Sequence, residues 1–421
     1  MPALRRAPTA VAALVVFAAA ACQERAPLAP DHATFDLQSP SPTSAELIAV
    51  GRAIFFDENL SLNGNQSCAS CHDPAWGWTG PNSAINAAGA VYEGSVAGRF
   101  GNRKPPSSAY ATLSPVLHSD RGLFVGGNFW DGRATGEVLG NPAADQAQGP
   151  FLNPVEQALA TPADVVSRVC AGSYGDLFQQ VWGTDVCEPE YVAEAYDAVA
   201  LSIAAFEGSD ESNAFSSKYD LSLRRAASLT KQERRGLSLF KGKGKCAKCH
   251  VLGTGNGREP ARFTDFTYDN LGLPKNPANP WYGMPPEFNP DGASWTDYGL
   301  GAFLASRPDY ALYAPDAMGM QKVPTLRNVD RRPATTAVKA YGHNGYFKTL
   351  WQIVHFYNTR DVKPTCADAY PVEMAILNDC WPAPEVPANV NDAELGDLRL
   401  TFDDEIALVA FLKTLSDGVA P

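Results

Sequence analysis

The chain has 421 residues, of which 45% are hydrophobic, and carries a formal net charge of −12. That length suffices for two or three ordinary domains, and the acidic balance argues against nucleic acid as a partner. The 33 prolines and 35 glycines predict long irregular segments between helices.

The chain begins with Arg5 and Arg6, followed by a short apolar run from Ala10 to Ala21 that ends in small residues. This is the pattern of an export signal, and it is short for a bilayer span. Cys22 directly follows Ala19-Ala20-Ala21, in the manner of a lipoprotein cleavage box. Residues 1–22 are therefore read as a signal/lipoprotein peptide with Cys22 as the lipidated residue. The proline-rich stretch 23–42 reads as a flexible linker. The expected location is the periplasm or cell surface, with membrane contact through the lipid alone.

Thr43-Ser44-Ala45-Glu46 has the form of a capping box, and Leu47, Val50 and Ile54 follow at helical spacing. Then comes Cys68-Ala69-Ser70-Cys71-His72, a device repeated at Cys246-Ala247-Lys248-Cys249-His250. C-x-x-C-H is the attachment signature of a c-type haem: the thiols add to the vinyl groups and the histidine ligates the iron. Zinc would need four grouped ligands, and no second Cys/His pair stands near either motif. Two covalent c-type haems are expected.

The repeat extends beyond the motifs. Gly51-Arg52-Ala53-Ile54-Phe55 is echoed by Gly236-Leu237-Ser238-Leu239-Phe240, itself preceded by the capping box Thr230-Lys231-Gln232-Glu233. Each half closes with an amphipathic helix. The first runs from about Tyr191 to Glu207, with Val192, Tyr196, Val199, Ile203 and Phe206 on one face. The second is capped by Thr401 and bears Phe402, Ile406, Val409 and Leu412, with Gly418 as a stop. The expected fold is mainly α: two cytochrome c-like haem domains, 43–215 and 216–421, with long irregular loops, 255–320 the most elaborate.

Of nine cysteines, four hold haem and one carries lipid, which leaves Cys170, Cys187, Cys366 and Cys380. The simplest pairing is local, Cys170–Cys187 and Cys366–Cys380, in an oxidising compartment. Each bridge is worth about 3 kcal/mol on the loop-entropy model. Lys241, Lys243, Lys245 and Lys248 cluster around the second motif, as a steering patch for an acidic redox partner or as a solvated loop.

Further residues carry a resemblance. Phe129-Trp130-Asp131-Gly132-Arg133 lies between the motifs, and Gln146 stands ten residues before Glu156. Later come Val323-Pro324-Thr325-Leu326-Arg327-Asn328 and Gly342-His343-Asn344-Gly345. In this order they resemble the dihaem cytochrome c peroxidase/MauG family, over nearly everything after residue 43. The resemblance implies that Glu156 moves the proton between the two peroxide oxygens, with Gln146 beside it. It implies that Trp130 passes charge between the haems. Arg133, Arg327 and His343 would organise haem propionates or the inter-domain interface.

The first iron would be held by His72 alone. The stretch Asp73 to Leu117, where peroxidases carry a distal histidine, has none, and His118 is the next candidate. This absence implies a five-coordinate first haem, as in the MauG branch. The second iron would be held by His250 and Tyr357, with Met318, Met320, Met374 or His355 as rival ligands. Family members commonly bind Ca²⁺ between the domains. Here Lys104 follows Arg103 where that site uses Asn, and Val338-Lys339-Ala340 departs from the usual Thr and Pro, so calcium stays open. The resemblance implies a MauG-like oxidoreductase that uses hydrogen peroxide to form a high-valent dihaem state and oxidises Trp or Tyr of a protein substrate at long range. A cytochrome c peroxidase reducing peroxide to water with a small c-type donor is the rival enzyme. A non-catalytic dihaem electron carrier is the rival outside enzymes.

Overall fold

Helix Ser44–Phe55 buries Val50, Gly51, Ile54 and Phe55 in one stripe. In the computed structural model, which describes residues 44–253 and 260–419, that stripe packs on the closing helix Val192–Glu207. The second half repeats the pair. Helix Lys231–Lys241 starts at the Thr230 capping box and packs on Phe402–Leu412, which starts at the Thr401 capping box. The signal/lipoprotein stretch, Cys22 and the linker 23–42 lie outside the described residues.

Each crossing is centred on a glycine. A Cβ on Gly51 would stand 1.8 Å from the carbonyl oxygen of Ser202, and one on Gly236 would stand 1.9 Å from that of Ala407. Only a hydrogen fits at either place. One turn on, Phe55 meets Phe206 edge to face with centroids 5.3 Å apart, and Phe240 meets Phe411 at 5.2 Å. The Gly-x-x-x-Phe spacing thus writes one helix crossing twice. The first closing helix starts at Val192 rather than Tyr191, because Tyr191 ends the 3₁₀ turn Pro189–Tyr191.

Between the first motif and its closing helix stand, among the described residues, the short helix Ser83–Ala87 and the longer Pro142–Leu152, Pro162–Ala171 and Gly175–Trp182. Pro142 occupies the first helical turn, where its missing N–H costs nothing, and Asn141 caps it. Strand is scarce among the described residues: His118–Asp120 pairs with Leu123–Val125, and Tyr268–Asp269 with Gln321–Lys322, both antiparallel. The Cys170 sulfur is bonded to Cys187 and the Cys366 sulfur to Cys380. Of the 255–320 stretch the described part, 260–320, is dominated by turns, but helix Gly299–Ala305 interrupts them. Its two glycines are poor helix formers, which hid it from a reading by composition. No helix among the described residues is long and apolar enough to cross a membrane.

Candidate active site

Cys68–Ser70 and Cys246–Lys248 each make one 3₁₀ turn. The turn folds the following histidine back, so that His72 N–H donates to Cys68 O and His250 N–H to Cys246 O, both at 2.9 Å. His72 Nδ1 lies 3.2 Å from Trp78 O, and His250 Nδ1 lies 3.0 Å from Phe263 O. A carbonyl only accepts, so Nδ1 carries the proton and Nε2 keeps its lone pair for a metal. Both carbonyls are aimed by residues in the left-handed region, Trp78 at φ +63° and Phe263 at φ +53°. Non-glycine residues there cost on the order of 1 kcal/mol each, so both halves spend strain on the same aim. Burial pushes His72 down to about 4 and lowers His250 as well, which keeps both imidazoles neutral.

Each histidine lines a large cavity with its two cysteines, and none of the four thiols is in a disulfide. The cavities enclose about 1620 and 1710 Å³, part of it open to solvent. Two thiols plus a neutral imidazole with a free Nε2, facing a largely apolar space, fit a c-type haem in each.

The first cavity is also lined by Gln146, Glu156 and Arg133. Gln146 comes from helix Pro142–Leu152, and Glu156 from the turn after it, where Glu156 N–H donates to Asn153 O at 3.0 Å. Burial raises the Glu156 carboxyl above its ordinary value, against the pull of Arg133 and Asn153. The Arg133 guanidinium lies 3.8 Å from the Phe129 ring centroid and 2.7 Å from Asp131. His118 is elsewhere, exposed on its ribbon with Nδ1 2.8 Å from Val116 O. Among the described residues His72 is the one imidazole lining this cavity. Glu207, the last residue of the closing helix, lines it too, and burial pushes its carboxyl up to about 8. In the sequence Glu207 reads only as a helix end.

The second cavity brings together His250, His343, Tyr341 and Tyr357. Tyr357 rides on helix Leu350–Thr359, capped by Thr349. Burial, with Cys246 and Asp269 nearby, raises its phenol above the ordinary value. Met318, Met320 and Met374 do not line this cavity, and Met374 is exposed. His355 is turned away, with Nδ1 2.9 Å from Glu405 and its ring stacked on Trp351. His343 is buried with Nε2 unpartnered, 3.8 Å from Asp297, and burial pushes it down to about 4. Arg327 spends its guanidinium on protein: both terminal nitrogens donate to Asp220 at 2.9 Å and Nε donates to Ala261 O at 2.7 Å.

One wall serves both cavities. Trp130, Lys104, Lys322 and the Val323–Thr325 segment line each of them. The buried Trp130 indole donates to Lys104 O at 2.8 Å, and Lys322 N–H donates to Trp130 O at 2.8 Å. Arg103 pins the wall from behind, donating to Asp297 at 2.6 Å through two nitrogens and to Asp131 at 2.5 Å through the third. Half-buried Lys322 donates to Ser114 Oγ and Gly126 O at 3.0 and 3.1 Å. The roles of Arg103, Asp297 and Lys322 depend on partners far away in sequence, so no local pattern announces them. The lysines around the second motif are less free than their number suggests. Lys243 is 3.4 Å from Asp404, Lys248 is 2.9 Å from Glu394, and Lys245 donates to Ala393 O.

A family model for di-haem cytochrome c peroxidase matches residues 45–228. The methylamine utilization protein MauG of Paracoccus denitrificans is 37% identical over 381 residues, covering 89% of this chain and 90% of its own. The cytochrome c551 peroxidase of Nitrosomonas europaea is 28% identical over 76% of this chain and 74% of its own. Among solved structures, the diheme peroxidase BthA of Burkholderia thailandensis is similar with a TM-score of 0.70 at 31% identity, over 90% of this chain and 87% of that one. With two haem-binding cavities on one wall and relatives of this kind along most of its length, the chain belongs to the dihaem cytochrome c peroxidase/MauG family and is a peroxide-using oxidoreductase.

Proposed function

We propose that this enzyme is of the MauG-like kind, using hydrogen peroxide to oxidise Trp or Tyr side chains of a protein substrate at long range. The observation that carries the reading is Tyr357 sharing the second cavity with His250, in a space that no methionine lines among the described residues. The 37% identity to a MauG over 89% of the chain supports it. When bound, the haems supply a peroxide-activating iron and capacity for two oxidising equivalents. His72 and His250 would hold them through Nε2, and Cys68, Cys71, Cys246 and Cys249 would fix them covalently. Tyr357 would be a further protein ligand to the second haem, and an anionic phenolate there would favour the oxidised state.

In the first cavity Glu156 takes the proton from one peroxide oxygen and returns it to the departing one. Burial raises its carboxyl above the ordinary value, which favours holding the proton more than an exposed glutamate would. Gln146 holds the peroxide by its amide. Trp130 carries charge across the shared wall. The division into haem domains 43–215 and 216–421, export, and lipid anchoring at Cys22 belong to the same reading and rest on the sequence. A second reading, a cytochrome c peroxidase with a small c-type donor, is favoured by the peroxidase relative that covers 76% of the chain.

The test mixes diferric holoprotein with stoichiometric peroxide, without reductant, and follows EPR and near-infrared spectra. Direct consumption, followed by oxidation of an added Trp- or Tyr-bearing protein, is expected. A requirement for prior one-electron reduction, or turnover only with a cytochrome donor, would move the enzyme to the second reading.

A further inference from the structure

Lys339 is buried at 4% exposure, yet its ammonium has a complete set of partners. Nζ donates to Trp76 O at 2.8 Å, to Asn328 O at 2.8 Å and to Arg331 O at 3.1 Å. The pocket is shaped for it. Gly77 sits at φ +71°, and a Cβ there would come 2.9 Å from Lys339 Nζ and 2.6 Å from Asn328 O. A second buried ammonium, Lys104, lies in the same seam and donates to Thr79 Oγ1 at 2.9 Å and Pro105 O at 3.0 Å. The main chain of Lys104 belongs to the shared wall: its carbonyl takes the Trp130 indole, and its N–H donates to His343 O at 2.8 Å.

Three acceptors around one nitrogen match the three donors of an ammonium. A neutral amine has two N–H groups and would turn a lone pair on one carbonyl. Burial and the nearby Lys104 and Arg332 pull the Lys339 pKa down, whereas the carbonyl cage favours the cation. The hydrogen-bond count decides for the charged form, because each buried carbonyl left without a donor is costly.

A calcium ion is what the family resemblance offers for this seam. Calcium needs six to eight oxygens at short range. Here the main-chain oxygens of Trp76, Asn328, Arg331 and Pro105 are taken by ammonium protons. A divalent cation would also face two positive charges. The residues do not fit the ion.

We infer that Lys339, seconded by Lys104, is a built-in monovalent substitute for a divalent cation between the two haem cavities, so that the enzyme's integrity is independent of calcium. Lys339 binds the loop carrying Trp76 and Trp78 to the segment at 328–331. Trp78 O is the acceptor that orients His72. The cation therefore steadies His72, which would hold the first haem, through the main chain from Trp76 to Trp78. In an exported enzyme, this removes a dependence on the outside calcium level. The inference stands apart from the choice of substrate.

The first measurement uses wild-type holoprotein: metal analysis, then melting temperature and haem spectra in EGTA and in added CaCl₂. Calcium far below one per chain, with melting and spectra identical in both solutions, is expected. Near-stoichiometric calcium, or a spectral change on chelation, overturns the inference. The second measurement is Lys339→Met, which keeps the apolar stem and removes the donors. A melting temperature lower by about 5 °C or more and a perturbed first-haem spectrum are expected. A variant that melts and absorbs like wild type overturns the inference. If Lys339→Met does not fold, the chelation result on wild type still decides.

Discussion

The two haem-motif halves agree on how they hold a histidine and disagree on what faces it. Each uses a 3₁₀ turn at the cysteines, a left-handed aromatic residue whose carbonyl orients the imidazole, and a glycine-centred crossing of helices. Beside these, the first cavity is lined by Gln146, Glu156 and Arg133, while the second is lined by Tyr357, Tyr341 and His343. Attachment is thus a duplicated local device. The groups proposed to set reactivity ride on helix Pro142–Leu152 with its following turn and on helix Leu350–Thr359, each packed on the closing helix of its half.

If this division of labour is right, changes on the facing side must affect one centre only. The largest effect is expected for Glu156→Gln. It should lower the rate of peroxide consumption by roughly 10²–10⁴-fold, the usual worth of a positioned proton carrier, and leave the second haem's absorption bands unchanged. Stopped-flow absorbance would show it, and a simultaneous loss at both centres would break the comparison. Next is Tyr357→Met. Haem ligands span about 0.8 V of potential, so with Tyr357 in its proposed role the thioether should raise the second haem by on the order of 0.1–0.3 V while the first stays put. Spectropotentiometry reads both.

The smallest effect separates the shared devices. Gly51→Ala and Gly236→Ala each force a methyl against a backbone carbonyl. Each should cost roughly 1–3 kcal/mol by overpacking, measured by urea unfolding of the holoprotein. Gly51→Ala should broaden the EPR signal of the first haem, and Gly236→Ala that of the second. Identical broadening of both signals by either change would mean that the halves do not act separately.

What was legible in the sequence follows the range of the forces involved. The haem motifs, the capping boxes at Thr230 and Thr401, and the Gly-x-x-x-Phe echo are local, and each appears in the structure as a turn, a cap or a crossing. The helix Gly299–Ala305 was hidden because glycine is a weak helix former and its neighbours Met318 and Met320 lie further along the chain. Lys339 was visible as a departure from pattern but not as a caged cation, because its partners are main-chain oxygens that any residue supplies. The lysines near the second motif looked like a surface charge and are partly spent on Asp404 and Glu394, which are distant in sequence.

Trp130 has a consequence of another sort. Its indole N–H, its carbonyl and its neighbour Asp131 are each tied to a separate partner, Lys104, Lys322 and Arg103. A ring clamped in this way has little room to shift when its charge changes, and its dipolar surroundings are already fixed. In the proposed relay through Trp130, nuclear rearrangement on electron hopping would therefore be small, and conduction would rest on stiffness rather than on mobility.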